Sequence, residues 1–169
     1  CGAHMPSDRP TAEGMIRAGE RPCQIHNNCS GKHAGFLTLN RHLGGGAEYV
    51  DPGHPVQQAV KAAFEEVTGE NSPGFGIDGC SAPNWSCSLA GLGRAMAAFA
   101  DPGQDRRGKA MRRLVDAMRT HPEMVAGEGR ACTILMRAMG GRVAAKTGAE
   151  AVFVAILPDQ GLGVALKIR

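Results

Sequence analysis

The spacing of apolar residues changes once along the chain. Up to about residue 140 they recur every three or four positions between turn residues, the pattern of helices with one buried face. Beyond it they gather into short runs. Thr11 to Ala18 predicts a short helix, capped by Thr11 and ended by Gly19, and Lys32 to Leu43 a second, stopped by Gly44-Gly45-Gly46. His54-Pro55 opens a third, with His54 as its cap, an apolar stripe at Val56, Val60, Ala63, Phe64 and Val67, and Gly69 as its stop. Leu89, Leu92, Met96 and Phe99 predict the inward face of a helix from Ser86 to Asp101, and Met111, Leu114, Val115 and Met118 that of one from Asp105 to Arg119. His121-Pro122 breaks the latter, and Ala131 to Met139 forms a last helix before Gly140-Gly141. Phe75 and Ile77 alternate as a short strand does. In the tail, Arg142 to Lys146 predicts a strand, and Ala151 to Leu157 and Gly161 to Ile168 a hairpin joined by Pro158-Asp159-Gln160. The class is α+β: helices packed on a small antiparallel sheet.

Composition narrows this picture. A chain of 169 residues is the size of one domain with a real core. Its residues are 43% hydrophobic but only 4% aromatic, so that core is built from Ala, Leu, Val, Ile and Met. The net charge is +3. The only basic clusters, Arg106-Arg107-Gly108-Lys109 and Arg112-Arg113, fall at helical spacing and read as a solvated face rather than a nucleic-acid patch. No apolar run approaches the roughly 20 residues of a membrane span. No signal peptide is visible, and a chain that opens on Cys1 without an initiator methionine reads as starting inside a longer one. Six cysteines without a Cys-x-x-Cys pair point to reduced thiols in a cytoplasmic protein. There is no Rossmann or P-loop glycine pattern, because Gly161-Leu162-Gly163 lies inside a strand.

Chemistry concentrates in two stretches. His26-Asn27-Asn28-Cys29-Ser30-Gly31-Lys32-His33-Ala34-Gly35 packs two imidazoles, two carboxamides, a thiol, a hydroxyl and an ammonium into ten residues. It reads as one wall of an active site and, equally, as a helix N-terminus with Ser30 as cap. Phe75 to Asn84 leads a strand into Asp78-Gly79-Cys80, a turn expected to expose the thiol at its tip. Cys29 and Cys80, with further ligands from Lys32, His33, His26 or Asp78, form a candidate zinc site. Asp78 is the acid best placed to orient a ligand. Cys1, Cys23, Cys87 and Cys132 sit in less polar settings and read as structural. Lys146-Thr147-Gly148, at the end of a strand, is one of three signatures of the serine acyl-transferases of the β-lactamase and penicillin-binding class.

Longer motifs carry a resemblance. The stretches 26–35, Asp51 to Gln57, Gly76 to Asn84, His121 to Gly127, Lys146-Thr147-Gly148-Ala149-Glu150 and Gly161 to Ile168 together resemble the L-asparaginase II family of the rhizobial, thermolabile type. The resemblance covers nearly the whole chain, which then reads as one partial domain of that kind, 1–169. It implies a fold like that of the serine β-lactamases and glutaminases, hydrolysis of the L-asparagine side-chain amide to aspartate and ammonia, and a homodimer. It implies zinc held by Cys29, Lys32 and Cys80, Lys146 as the active-site lysine, and Asp78, His33 and Thr147 near the metal or substrate. The family's nucleophile lies in a Ser-x-x-Lys motif upstream of the part that matches Cys1, and the family continues with helices beyond Ile168. No Ser-x-x-Lys occurs here; Cys29-x-x-Lys32 keeps the spacing with a thiol. Glu150-Ala151 replaces the family's usual Glu-Gly. Two other readings stay open: an inactive zinc-binding or interaction domain, which the missing serine favours, and a glutaminase or β-lactamase-like serine hydrolase, for which Lys146-Thr147-Gly148 would suffice.

Overall fold

The computed structural model describes residues 1–168. Its elements are α1 (Arg9–Ala18), a 3-10 turn (Gln24–His26), α2 (Ser30–Leu43), α3 (Pro55–Thr68), β1 (Phe75–Ile77), β2 (Pro83–Trp85), α4 (Leu89–Ala100), α5 (Arg106–Thr120), α6 (Pro122–Ala126), α7 (Ala131–Ala138), β3 (Ala144–Thr147), β4 (Val152–Leu157) and β5 (Leu162–Lys167). The α+β class expected from the pattern is what folds. The chain divides into two compact units, residues 1–65 with 71–86, and residues 66–70 with 87 onward. No helix among the described residues is long and apolar enough to cross a membrane.

The first unit is built on α2, most of α3 and the two-stranded ribbon β1–β2. Its core is Phe36, Val56, Cys80 and Ala82, with Cys1, Cys29, Leu39, Tyr49, Val50 and Val60 packed around them. The ribbon pairs Phe75 with Trp85 and Ile77 with Pro83. The stretch Asp78 to Ala82 closes it: Asp78 N donates to Ala82 O at 2.9 Å and Ser81 N to Asp78 O at 2.8 Å. Strand β2 has no sequence signal, being three residues that begin on a proline.

The second unit is organised on the antiparallel sheet β3-β4-β5, and Leu162, Val164 and Leu166 of β5 are exposed on the face away from α4. Successive strand residues point to opposite sides. Ala144 and its partner Ile156 join Ala100 and Val115 on one side, while Ala145 joins Cys132, Met136 and Val143 on the other. Helices α4 and α5 therefore pack on one face, and α7 packs on the β3 side of the other. Helix α4 sits so close that a Cβ on Gly163 of β5 would lie 2.1 Å from Ala97 N and 2.4 Å from Met96 C. Glycine is required there by proximity, not by an unusual φ.

Several local expectations are corrected. Asp8, not Thr11, caps α1: its carboxylate accepts from Thr11 N at 3.1 Å and Thr11 Oγ1 at 2.6 Å, and Pro10 occupies the first turn. Helix α2 already includes Ser30, so Cys29 stands at the cap and makes no side-chain capping bond. Cys80 is not exposed at a turn tip but only 3% accessible, because the turn folds back over Phe36 and Val56. Leu89 and Leu114 are 48% and 58% exposed; on α4 Gly91 and Ala95 join the expected Met96 and Phe99 inward, and on α5 Met111, Val115 and Met118 face the core. After His121-Pro122 the chain forms α6, since proline suits a helix's first turn as well as its end.

Candidate functional site

In the first unit, the loop before α2 is fixed by its own amides. Asn27 is buried; its Oδ1 accepts from Cys29 N at 2.8 Å and its Nδ2 donates to Gly2 O at 2.7 Å. This holds Cys29 at the mouth of α2, and one helical turn later Lys32 projects beside it. The turn after β1 brings Asp78 and Cys80 to the same place. The ligating atoms of Cys29, Asp78 and Cys80 all lie within 4.8 Å of one another. Lys32 Nζ donates to Asp78 Oδ2 at 2.8 Å, and Cys80 Sγ points at the same oxygen at 3.4 Å. Asp78 Oδ2 is thus the shared acceptor of an amine and a thiol.

The charges respond to this crowding. The Lys32 hydrogen bond holds the Asp78 carboxyl below its ordinary value against partial burial. Burial acts to lower the pKa of Lys32, but Asp78 and the two thiols outweigh it, and the ammonium is held above its ordinary value. Burial pushes the Cys29 thiol up, and the neighbouring Cys80 and Asp78 add to the rise while Lys32 opposes it. The cluster thus sets a carboxylate–ammonium pair beside a thiol whose deprotonation burial disfavours.

His33 sits behind this group. Its Nδ1 meets Tyr49 Oη at 2.9 Å, and its ring stands edge-on to Phe36 at 5.6 Å. Burial lowers its pKa. Its Nε2 is buried, with no well-formed hydrogen bond among the described residues, and the ring feels the backbone of Cys80. Gln57, fully buried, donates to Tyr49 O at 2.9 Å and so holds the segment that carries the phenol. Tyr49 and Gln57 were not candidates from the sequence. A lone tyrosine in a glycine-rich loop and a glutamine in the first turn of a helix have no pattern of their own; only the fold brings Tyr49 to His33 and Gln57 to the Tyr49 backbone.

The remaining candidates are placed as follows. His26 Nδ1 accepts from Cys23 N at 2.9 Å, which occupies it as the cap of its own turn. His54 Nδ1 accepts from Val56 N at 3.1 Å, in the capping role expected of it. Lys146 and Thr147 belong to the second unit. Lys146 is exposed near the end of β3, with Nζ on Thr147 O at 2.5 Å. Thr147 N donates to the buried Cys132 Sγ at 3.2 Å, so this thiol closes the strand's outward N–H. Glu150 and Ala151, at the turn into β4, have φ of 53° and 57°, the left-handed region that suits glycine. All six cysteines are free thiols.

Two thiols and a carboxylate at such separations are a donor set for a tetrahedral cation, since two sulfurs bound to zinc at about 2.3 Å stand roughly 3.8 Å apart. The residues present fit that ion. The family model described as L-asparaginase II matches residues 1–169. No curated protein matches the chain.

Proposed function

The chain belongs to the L-asparaginase II family, and on that footing we propose that it serves an amidohydrolase that splits the side-chain amide of L-asparagine into aspartate and ammonia, with zinc as cofactor. The observation that carries the zinc part is the meeting of Cys29, Asp78 and Cys80 within 4.8 Å, with Lys32 bonded to the same carboxylate. Cys29, Cys80 and Lys32 would hold the ion, the thiols as thiolates and the amine after losing its proton, with Asp78 beside them to orient the amine. When bound, the ion supplies a fixed positive charge that orients the polar groups of the substrate.

The reaction itself is acyl transfer to a serine. The amide carbon is attacked by the hydroxyl, ammonia leaves, and water releases aspartate from the ester. No Ser-x-x-Lys lies among these residues, so the nucleophile comes from a segment outside the 169. Lys146 is the residue of this chain assigned to the proton relay, an ammonium at a strand end beside Thr147. The Lys146-Thr147-Gly148 strand edge and the order of helices before a small antiparallel sheet support a fold of the serine β-lactamase and glutaminase type. We extend the reading to a homodimer, which the resemblance alone supports, and to a cytoplasmic setting, which the reading of the cysteines as reduced thiols supports.

The test compares ammonia release from L-asparagine by the 169-residue chain and by a longer protein that includes a Ser-x-x-Lys segment, each with its zinc content measured. Turnover by the longer protein, lost on Lys146→Ala by several orders of magnitude as for one member of a nucleophilic unit, is expected. Turnover by the short chain alone would refute the outside nucleophile. Zinc binding by both with ammonia release by neither would favour the rival reading, a zinc-binding domain without catalysis, which the missing motif itself suggests.

A further inference from the structure

Helix α5 carries six basic residues: Arg106, Arg107, Lys109, Arg112, Arg113 and Arg119. Three of them have partners. Arg107 Nη2 pairs with Glu66 Oε2 at 2.7 Å, Arg112 Nη2 donates to Pro102 O at 3.2 Å, and Arg119 bonds to Gly141 O. The other three, Arg106, Lys109 and Arg113, make no hydrogen bond or ion pair among the described residues. They are also the three that line one open pocket of about 450 Å³, together with Gln104, Asp105 and Ala110. The division of the helix into satisfied and unsatisfied cations thus coincides with the edge of a cavity.

The pocket is held in shape. A Cβ on Gly108 would lie 1.8 Å from Gly103 O, so the loop before α5 rests directly on the helix's first turn. Asp105, the one acid in the lining, is engaged with the helix: its Oδ1 accepts from Gly108 N at 2.7 Å. Positions 106, 109 and 113 fall on one face, opposite the buried Gly108, Met111 and Val115. From first to last they span about 10.5 Å at 1.5 Å per residue. Two guanidinium forks with an ammonium between them match linked phosphates, which accept paired hydrogen bonds from arginine and a point charge from lysine. The volume is that of a small-molecule site. A nucleic-acid strand would need a longer basic track than three residues, and 16 acids are interspersed with the 19 cations of the chain.

We propose that the pocket at the start of α5 binds a small oligophosphate, two or three linked phosphates gripped by Arg106, Lys109 and Arg113. The site lies in the second unit and is independent of the thiol cluster and of the asparaginase reading.

The probe is sodium tripolyphosphate, titrated calorimetrically into the whole metal-free chain at low salt, with inorganic phosphate and a short single-stranded oligonucleotide as competitors. One site per chain is expected. Arg106→Gln, Lys109→Gln and Arg113→Gln should each weaken binding about tenfold, the loss of one charge-assisted contact, and the triple variant should abolish it. All three side chains are exposed, so the unfolding temperature of every variant should be unchanged. Arg107→Gln, which removes a cation already paired with Glu66, should leave binding intact. Four results would overturn the proposal: no binding, an unaltered triple variant, equal losses on Arg107→Gln, or phosphate bound as tightly as tripolyphosphate. Tighter binding of the oligonucleotide, with a salt dependence steeper than three phosphate contacts produce, would replace it with a nucleic-acid surface.

Discussion

Replacing Cys80 by alanine separates two contributions of one sulfur. In the metal-free protein the thiol is a small buried hydrophobe, 3% exposed, packed with Phe36, Val56 and Ala82. Deleting it removes one heavy atom from a filled core and leaves a void of sub-methionine size, worth about 1–2 kcal/mol. With zinc the cost is different in kind. An ion at a hundred times its dissociation constant stabilises the native chain by about 2.7 kcal/mol, and a site deprived of one of two sulfurs loses most of that. The gap between wild type and variant should therefore widen to about 4 kcal/mol when zinc is added. At roughly 2–4 °C per kcal/mol for a chain of this length, it grows from a few degrees to about 8–16 °C. The assay is thermal unfolding of both proteins, chelator-treated and zinc-loaded, followed by circular dichroism. Equal stabilisation of both by zinc would place any bound ion away from positions 29 and 80 and refute the reasoning. A gap that is large without zinc and does not grow would show that the sulfur acts only by packing.

Three further outcomes follow from particular contacts. Ala151→Gly should raise stability by about 1 kcal/mol, because Ala151 holds φ at 57° and glycine relieves that strain at a smaller entropic cost; chemical denaturation checks it, and a loss of stability would show that the methyl group contributes more than the strain. Gly163→Ala should destabilise the second unit by about 3 kcal/mol or more, since the new Cβ falls about 1.3 Å inside ordinary contact with the backbone of α4; an unchanged melting curve would mean that the helix does not lie where the structure has it. Glu70 accepts from Ser88 Oγ and N at 2.5 and 2.9 Å, which lowers its pKa below the ordinary 4.5. A depressed carboxyl gives stability that is present above its unfolded value and lost as pH falls through the folded one. Glu70→Gln should therefore flatten the acid limb of the stability–pH curve below about pH 4.5, with little change in its slope near neutrality; an identical acid limb would count against the Ser88 contact.

How far the chain could be read in advance depended on how local each signal was. The apolar stripe of α3 and the hairpin β4–β5 follow from periodicity alone, and both form close to their expected bounds. The errors fall where a neighbour decides. Leu114 lies on the expected stripe of α5 but faces water, because the sheet meets the helix along Met111 and Val115 instead. Cys80 reads as a turn tip, and only the return of Ala82 toward Asp78 covers it. The site was legible in its residue types but not in its assembly. Nothing in a separation of fifty residues brings Cys29 and Cys80 together; their polar, glycine-flanked settings only single the two out, and the structure places their ligating atoms within reach. Asp78, read as an orienting acid, has its oxygen in the donor cluster itself and is the common partner of Lys32 and Cys80.

Strand β3 places two alanines, buried on opposite sides of the sheet, immediately before Lys146. A slip of one position along β4 would drive the ammonium into the space of Ala145, against Met136 and Val143. An unpaired cation in an apolar interior is costly enough to forbid that alignment. Lys146 therefore serves as the stop that fixes where its own strand ends, so a neutral replacement at 146 frees the pairing of β3 at the same time as it removes the charge.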